Sequence, residues 1–221
     1  MNYLTCQLLN SEELEILKKN LDKDNLFWED GKKTAGQQAA KVKNNLQLRR
    51  DSDLSLKYSA LITKKILSNE LIKSFALPKK VHGTIFSKTI SGMKYGRHID
   101  NAYMSSGRAD ISFTVFLNPK NNYDGGALSI EDFNSEEKFK LDAGEIIIYP
   151  STYLHSVEEV FDGERLVFIG WIESYVKSIE DREYLFDLDA AARSLLAKYG
   201  RSDEVDLIFK SYSNFLRRLG C

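Results

Sequence analysis

The stretch EIIIYPSTYLHSVEEVFDGERLVFIGWIES, residues 145–174, decides how the rest of the chain is read. Residues 145–149 and 165–173 are short apolar runs rich in β-branched and aromatic side chains, and Asp162-Gly163 between them tolerates the positive φ of a turn. Working outward, similar segments recur at 81–90, 111–117, 127–131 and 138–142, with residues 121–126 (NNYDGG) as further punctuation. No helical pattern long enough for a parallel crossover lies between them. The spacing therefore predicts an antiparallel sandwich or jelly roll with its core at about 80–176.

Helical patterns flank this core. Asn10-Ser11-Glu12-Glu13 reads as a cap and acidic first turn, and Leu14, Ile16, Leu17 and Leu21 come next at helical spacing. A second helix is expected from about Asp51-Ser52-Asp53, with Leu54, Tyr58, Leu61, Ile62 and Leu67 on one face. Residues 28–48 show a turn and no clear periodicity. After Ser178 the period returns to that of a helix. Leu185, Leu188, Ala191, Leu195 and Leu196 precede Gly200, then Ser202 caps a last helix carrying Val205, Ile208, Phe209, Tyr212 and Phe215. The expected plan is mainly β with flanking helices (α+β): a domain over 1–178, then a helical extension over 179–221 that is a candidate dimer contact or shield for the core.

Composition narrows the function classes. A net charge of −1 supplies no general attraction to nucleic acid or membrane, and 43% hydrophobic residues suffice for a substantial core. The basic runs Lys41-Val42-Lys43 and Arg49-Arg50 are short and read as solvated surface. Two cysteines form no disulfide framework, the N-terminus has no signal-peptide pattern and no apolar run is of membrane-spanning length. A soluble, cytoplasmic protein is expected.

The chain has only three histidines. Asp100 stands two residues after His98, so on an extended segment the two side chains share a side. Alone the pair is weak evidence, because 32 of 221 residues are acidic and chance supplies such a neighbour about one time in seven. It gains meaning in combination with His155, which stands beyond a long β-rich interval, and with Arg165 ten residues past His155. Two imidazoles and one carboxylate make the facial triad of non-haem Fe(II) oxygenases, and a guanidinium suits the far carboxylate of a 2-oxo dicarboxylic acid. Zinc hydrolysis could use the same three ligands, but no glutamate is placed by motif as its base. His82, with no acid two residues on, reads as structural. Tyr95, Asn101, Tyr103 and Arg108 surround the first ligands as candidates for the substrate or cosubstrate pocket; core packing and an Arg108–Asp110 ion pair compete with that reading.

With these pieces in place the sequence resembles the PKHD-type Fe(II)/2-oxoglutarate-dependent hydroxylases, bacterial relatives of prolyl 4-hydroxylases, over nearly its whole length. The resemblance is carried by Trp28-Glu29-Asp30-Gly31 with Thr34-Ala35-Gly36, Val42-Lys43-Asn44-Asn45-Leu46-Gln47-Leu48, Tyr95-Gly96-Arg97-His98-Ile99-Asp100-Asn101-Ala102 and Arg108-Ala109-Asp110-Ile111-Ser112. It continues through Tyr123-Asp124-Gly125-Gly126, residues 149–155, Gly163-Glu164-Arg165 and Trp171-Ile172-Glu173-Ser174 into the helical tail. It implies a double-stranded β-helix, Fe(II) on His98, Asp100 and His155, 2-oxoglutarate on Arg165, O₂ as second cosubstrate, and L-ascorbate as the reductant that keeps such iron ferrous. Ala127, Ser156 and Glu173 depart from the family pattern at peripheral positions, which bears on the substrate and not on the ligands. Asp100 also argues against a halogenase, which frees that position for halide. The expected reaction is hydroxylation of a small-molecule or peptidyl C–H with conversion of 2-oxoglutarate to succinate. A sensor that merely binds metal and 2-oxoglutarate is the alternative. A nucleic-acid demethylase is disfavoured by the charge.

Overall fold

The computed structural model describes residues 2–21, 27–34 and 36–221, so Ala35 of the Thr34-Ala35-Gly36 motif lies outside the described residues. The chain runs β1 (Leu4–Gln7), α1 (Ser11–Leu21), β2 (Trp28–Asp30), β3 (Lys43–Asn44), β4 (Leu46–Leu48), α2 (Asp53–Ser68) and α3 (Glu70–Ala76). The core continues as β5 (Pro78–Ile90), β6 (Lys94–His98), β7 (Tyr103–Met104), β8 (Gly107–Arg108), β9 (Ile111–Phe116) and β10 (Tyr123–Gly125). Then come β11 (Leu128–Asp132), β12 (Ser135–Phe139), β13 (Glu145–Pro150), β14 (Leu154–Val157), β15 (Val160–Ser174), α4 (Ile179–Tyr199) and α5 (Asp203–Leu219).

Two antiparallel sheets form the core. The larger has the order β1-β13-β9-β15-β5-β4-β2 with β10 attached to β15, and the smaller is β12-β11-β14-β6-β3. This is the expected jelly-roll plan with helices outside. The apolar run of β13 has a direct cause: both its faces are covered. Ile146 and Ile148 join the layer beneath the helices, with Leu17, Ile62, Phe113 and Phe168, while Ile147 and Tyr149 point between the sheets, with Phe116, Ile130 and Val167. The same period of two runs along β15. Leu166, Phe168 and Ile172 face the helix side, and Arg165, Val167, Ile169 and Trp171 face the inter-sheet cavity.

Several expectations shift. The strand expected at 138–142 lies at Ser135–Phe139 and closes a hairpin in which Leu128 pairs with Phe139 and Asp132 with Ser135. Its polar side chains belong to a sheet edge, where solvation hides a strand from hydrophobicity. β1 and the strands between 28 and 48 escaped the sequence reading for the same reason, being short and peripheral. Helix faces are also rotated. Ile16 is 51% exposed while Leu14, Leu17 and Leu21 are buried; in α2, Leu61 and Leu67 are outside and Ile62 and Ile66 inside. In α4 the buried alanine is Ala192, not Ala191. Tyr212, Leu216 and Leu219 of α5, and not the exposed Phe215, pack with Leu77, Val176 and Leu185. No described helix is long and apolar enough to cross a membrane.

Candidate active site

His155 is on β14 of the small sheet and Arg165 on β15 of the large one, so the two face each other across the inter-sheet space. His98 ends β6 directly opposite His155. From there the β6–β14 register slips, pairing Val157 with Tyr95, three residues before His98. The extra residue on β6 lets Tyr95 and His98 both turn to the cavity, as bulges beside active sites do. Asp100 lies past the end of β6 and not on an extended strand; its carboxylate is held in place by β9 and β15 instead.

The polar contacts set the donor atoms. His98 Nδ1 bonds Gly96 O at 2.8 Å and His155 Nδ1 bonds Tyr153 O at 3.1 Å, so each ring keeps its proton at Nδ1 and presents Nε2 to the cavity. Asp100 Oδ2 accepts from Ser112 Oγ at 2.6 Å and Trp171 Nε1 at 2.8 Å, which leaves Oδ1 free of protein donors among the described residues. One ligand atom from each of His98, Asp100 and His155 lies within 4.8 Å of the others. Burial, then the neighbouring His155, lowers the His98 pKa to about 4, so the imidazole is neutral near pH 7, the form that ligates metals. Two imidazoles that present Nε2 and a carboxylate oriented by two donors fit a divalent cation of the Fe(II) class.

Arg165 is 2% exposed, and no acid pairs with it among the described residues. Its Nε and the Tyr123 hydroxyl are both buried without a hydrogen-bond partner among the described residues, and the guanidinium stands 5.4 Å from the Phe116 ring centroid. Burial lowers the Arg165 pKa and raises that of Tyr123. Gly126, at φ +65°, closes this corner: a Cβ there would come 2.8 Å from Val160 and 3.2 Å from Arg165 Cδ. A buried cation beside an orphaned hydroxyl suits an incoming carboxylate such as the far end of 2-oxoglutarate.

The remaining candidates divide. Tyr95 lines this cavity, its ring stacked on His98 at 3.7 Å between centroids. Asn101 and Tyr103 line an adjoining cavity of about 370 Å³ that shares Thr34, Asp100 and Trp171 with the first. Arg108 lines neither. It is bound to Asp110 at 2.7 and 2.8 Å and to Ser174 O at 2.9 Å. Arg108→Ala is therefore expected to lower stability by about 1–3 kcal/mol, read from the urea midpoint, through the half-satisfied Asp110 it leaves. His82 is structural in this fold: it is buried, with Nδ1 on Ser106 Oγ and Nε2 on Arg108 O, both at 2.9 Å.

The sequence alone gives no role to Ser112, Trp171 and Tyr123, although all three stand in the motifs quoted above, because their work depends on partners 12 to 71 residues away or, for Tyr123, on no hydrogen-bond partner among the described residues. In sequence Lys43 also reads as solvated surface. Lys43 is 5% exposed and lines the metal cavity, whereas Lys41, Arg49 and Arg50 are exposed as expected. Trp171 is pressed on Gly83, where φ is +64° and a Cβ would meet the ring at 2.7 Å. Trp171→Phe keeps an aromatic ring and removes the donor to Asp100. The expected loss is about 10–100-fold in metal affinity, measured by competition with a chromophoric chelator.

The comparisons with known proteins agree with this geometry. Residues 84–173 match the 2OG-Fe(II) oxygenase superfamily. The chain is 74% identical over 220 residues to a PKHD-type hydroxylase of Prochlorococcus marinus (strain MIT 9215), covering 100% of each. Among solved structures it is similar to a Pseudomonas putida prolyl-4-hydroxylase, with TM-score 0.57, 17% identity, and 78% of this chain and 92% of that one covered. A prolyl hydroxylase from Trichoplax adhaerens, solved with a hypoxia inducible factor peptide fragment, gives TM-score 0.57 at 16% identity, covering 83% and 86%. Those distant structures show the shared fold, and the full-length relative shows the family. The protein belongs to the PKHD-type hydroxylases and is an Fe(II)/2-oxoglutarate-dependent dioxygenase.

Proposed function

We propose that His98, Asp100 and His155 hold Fe(II), that Arg165 with Tyr123 seats the far carboxylate of 2-oxoglutarate, and that the enzyme hydroxylates an aliphatic C–H of a small-molecule or peptidyl substrate. The observation that carries this reading is the juxtaposition itself: three metal-competent donors within 4.8 Å of one another, facing across one cavity a buried arginine with no acid partner among the described residues. Iron bound there supplies the oxidising power: 2-oxoglutarate, O₂ and R–H become succinate, CO₂ and R–OH.

The chain's own residues do the rest. Ser112 and Trp171 hold Asp100 so that one oxygen stays available. The backbone carbonyls of Gly96 and Tyr153 keep the protons of His98 and His155 on the nitrogens facing away from the cavity. Phe116, Val167 and Tyr149 pack between the sheets and keep bulk water from the arginine. L-Ascorbate as reductant, a cytoplasmic location, a helical extension over 179–221 available for dimerisation, and no nucleic-acid partner complete the proposal.

The test is O₂ uptake and succinate release by the Fe(II)-loaded protein against a panel of metabolites and peptides. Stoichiometric coupling to one compound is expected. Binding of Fe(II) and 2-oxoglutarate without O₂ consumption under any condition would instead identify a sensor.

A further inference from the structure

The cavity holds more positive charge than its cosubstrate accounts for. Lys43 is 5% exposed, and among the described residues no carboxylate lies within ion-pair distance of it. Its Nζ is 3.4 Å from Thr34 Oγ1 and 5.0 Å from the centroid of Tyr95, the ring that stacks on His98. An ammonium buried without a counter-charge is costly. Burial first, then the charge of Arg50, lowers the Lys43 pKa to about 8, against the opposing pull of Asp100 and Asp30. Arg50 stands at the rim of the adjoining cavity with Asp100, Asn101 and Trp171. The residue is exposed as a whole, its head is partly desolvated, and among the described residues its only hydrogen bond is to Gly83 O at 3.3 Å. Arg165 feels Tyr123 and Tyr149, whereas Lys43 feels Arg50 and Asp100, so the two buried cations serve different ends of the space.

Charge counting sharpens this. A ferrous ion, the Asp100 carboxylate, the 2-oxoglutarate dianion and the Arg165 guanidinium sum to zero. Lys43 and Arg50 are left over, on the flank where the second cavity opens beside Asp100; Asp30 acts on Lys43 only from beyond ion-pair distance, its Oδ1 accepting from Lys32 N at 2.9 Å. In a partly dry site, two uncompensated cations call for an anion.

We propose that Lys43 and Arg50 form the substrate's anion seat, so that this enzyme hydroxylates a carboxylate-bearing substrate held between them beside Asp100. The proposal rests on the iron-site reading above and adds the substrate class to it.

The test uses the full chain loaded with Zn(II) and N-oxalylglycine, which occupy the metal and cosubstrate seats without turnover. Ligand-observed NMR titrations compare N-acetyl amino acids with their amides, and amidated peptides carrying one internal glutamate with their glutamine counterparts. Acids are expected to bind at least about tenfold more tightly than their neutral partners, the order of one charge-assisted hydrogen bond. A preference confined to the first pair indicates a small acid, and one confined to the second an acidic side chain of a polypeptide. Lys43→Met and Arg50→Gln should each erase most of that preference and leave N-oxalylglycine affinity unchanged. Arg50 is at the exposed rim, so its variant serves if Lys43→Met fails to fold. Equal binding of acids and amides, no acid signal at millimolar concentration, or a preference that survives both substitutions overturns the proposal. So does loss of N-oxalylglycine affinity in Lys43→Met, which would place Lys43 in the cosubstrate seat. Failure of the unsubstituted protein to bind Zn(II) or N-oxalylglycine would overturn the iron-site reading itself.

Discussion

Replacing His155 with alanine is expected to abolish succinate formation and to cut Fe(II) affinity by more than about 100-fold, the upper range for losing even an outer-shell partner of a metal ligand. The side chain is 7% exposed, its ring sits 4.3 Å from His98 between centroids, and among the described residues its only hydrogen bond is the one from Nδ1 to Tyr153 O. Removing it deletes one of two imidazoles and breaks no structural network, so the circular dichroism spectrum should stay native. Asp100→Asn offers the complementary case: it keeps the acceptor for Ser112 and Trp171 and removes the charge. Full retention of 2-oxoglutarate turnover by His155→Ala would sink the ligand assignment, whatever the family.

The second large effect concerns Arg165. Arg165→Met should weaken 2-oxoglutarate binding by about 30-fold or more, since removing one member of a buried hydrogen-bonded charge pair costs about 2–5 kcal/mol. In the ligand-free protein the direction differs. Among the described residues the buried guanidinium has no partner at Nε and no acid beside it, so a methionine of similar length replaces an uncompensated charge with apolar contact against Phe116. The thermal midpoint without ligand should be equal or higher, while the stabilisation conferred by 2-oxoglutarate disappears. A structural arginine would give the reverse: a lower midpoint and unchanged cosubstrate affinity. Calorimetry with and without 2-oxoglutarate separates the two outcomes.

Much of this was legible in the sequence, for local physical reasons. The apolar run of β13 and the alternation along β15 reflect which faces are covered, and a period of two survives in any reading of residues 145–174. His98, Asp100, His155 and Arg165 stand out because their residue types and order suit one chemistry. The edge strand β12 and the rotated faces of α1, α2, α4 and α5 did not show. Edge strands can be polar, and near the border of a helix face packing, not spacing, decides which leucine is inside.

By itself, then, the sequence determined the fold class and the family, and it singled out His98, Asp100, His155 and Arg165 as the candidate site. These depend on residue type, periodicity and order. Only the tertiary structure decided the surroundings. It brought Trp171 and Ser112 onto Asp100, took Arg108 away to Asp110, left Tyr123 beside Arg165, and turned Lys43 inward from a run that looks like solvated surface. The reason is physical: each role is set by partners on strands remote in the chain and by exclusion of water, neither of which is written in local sequence.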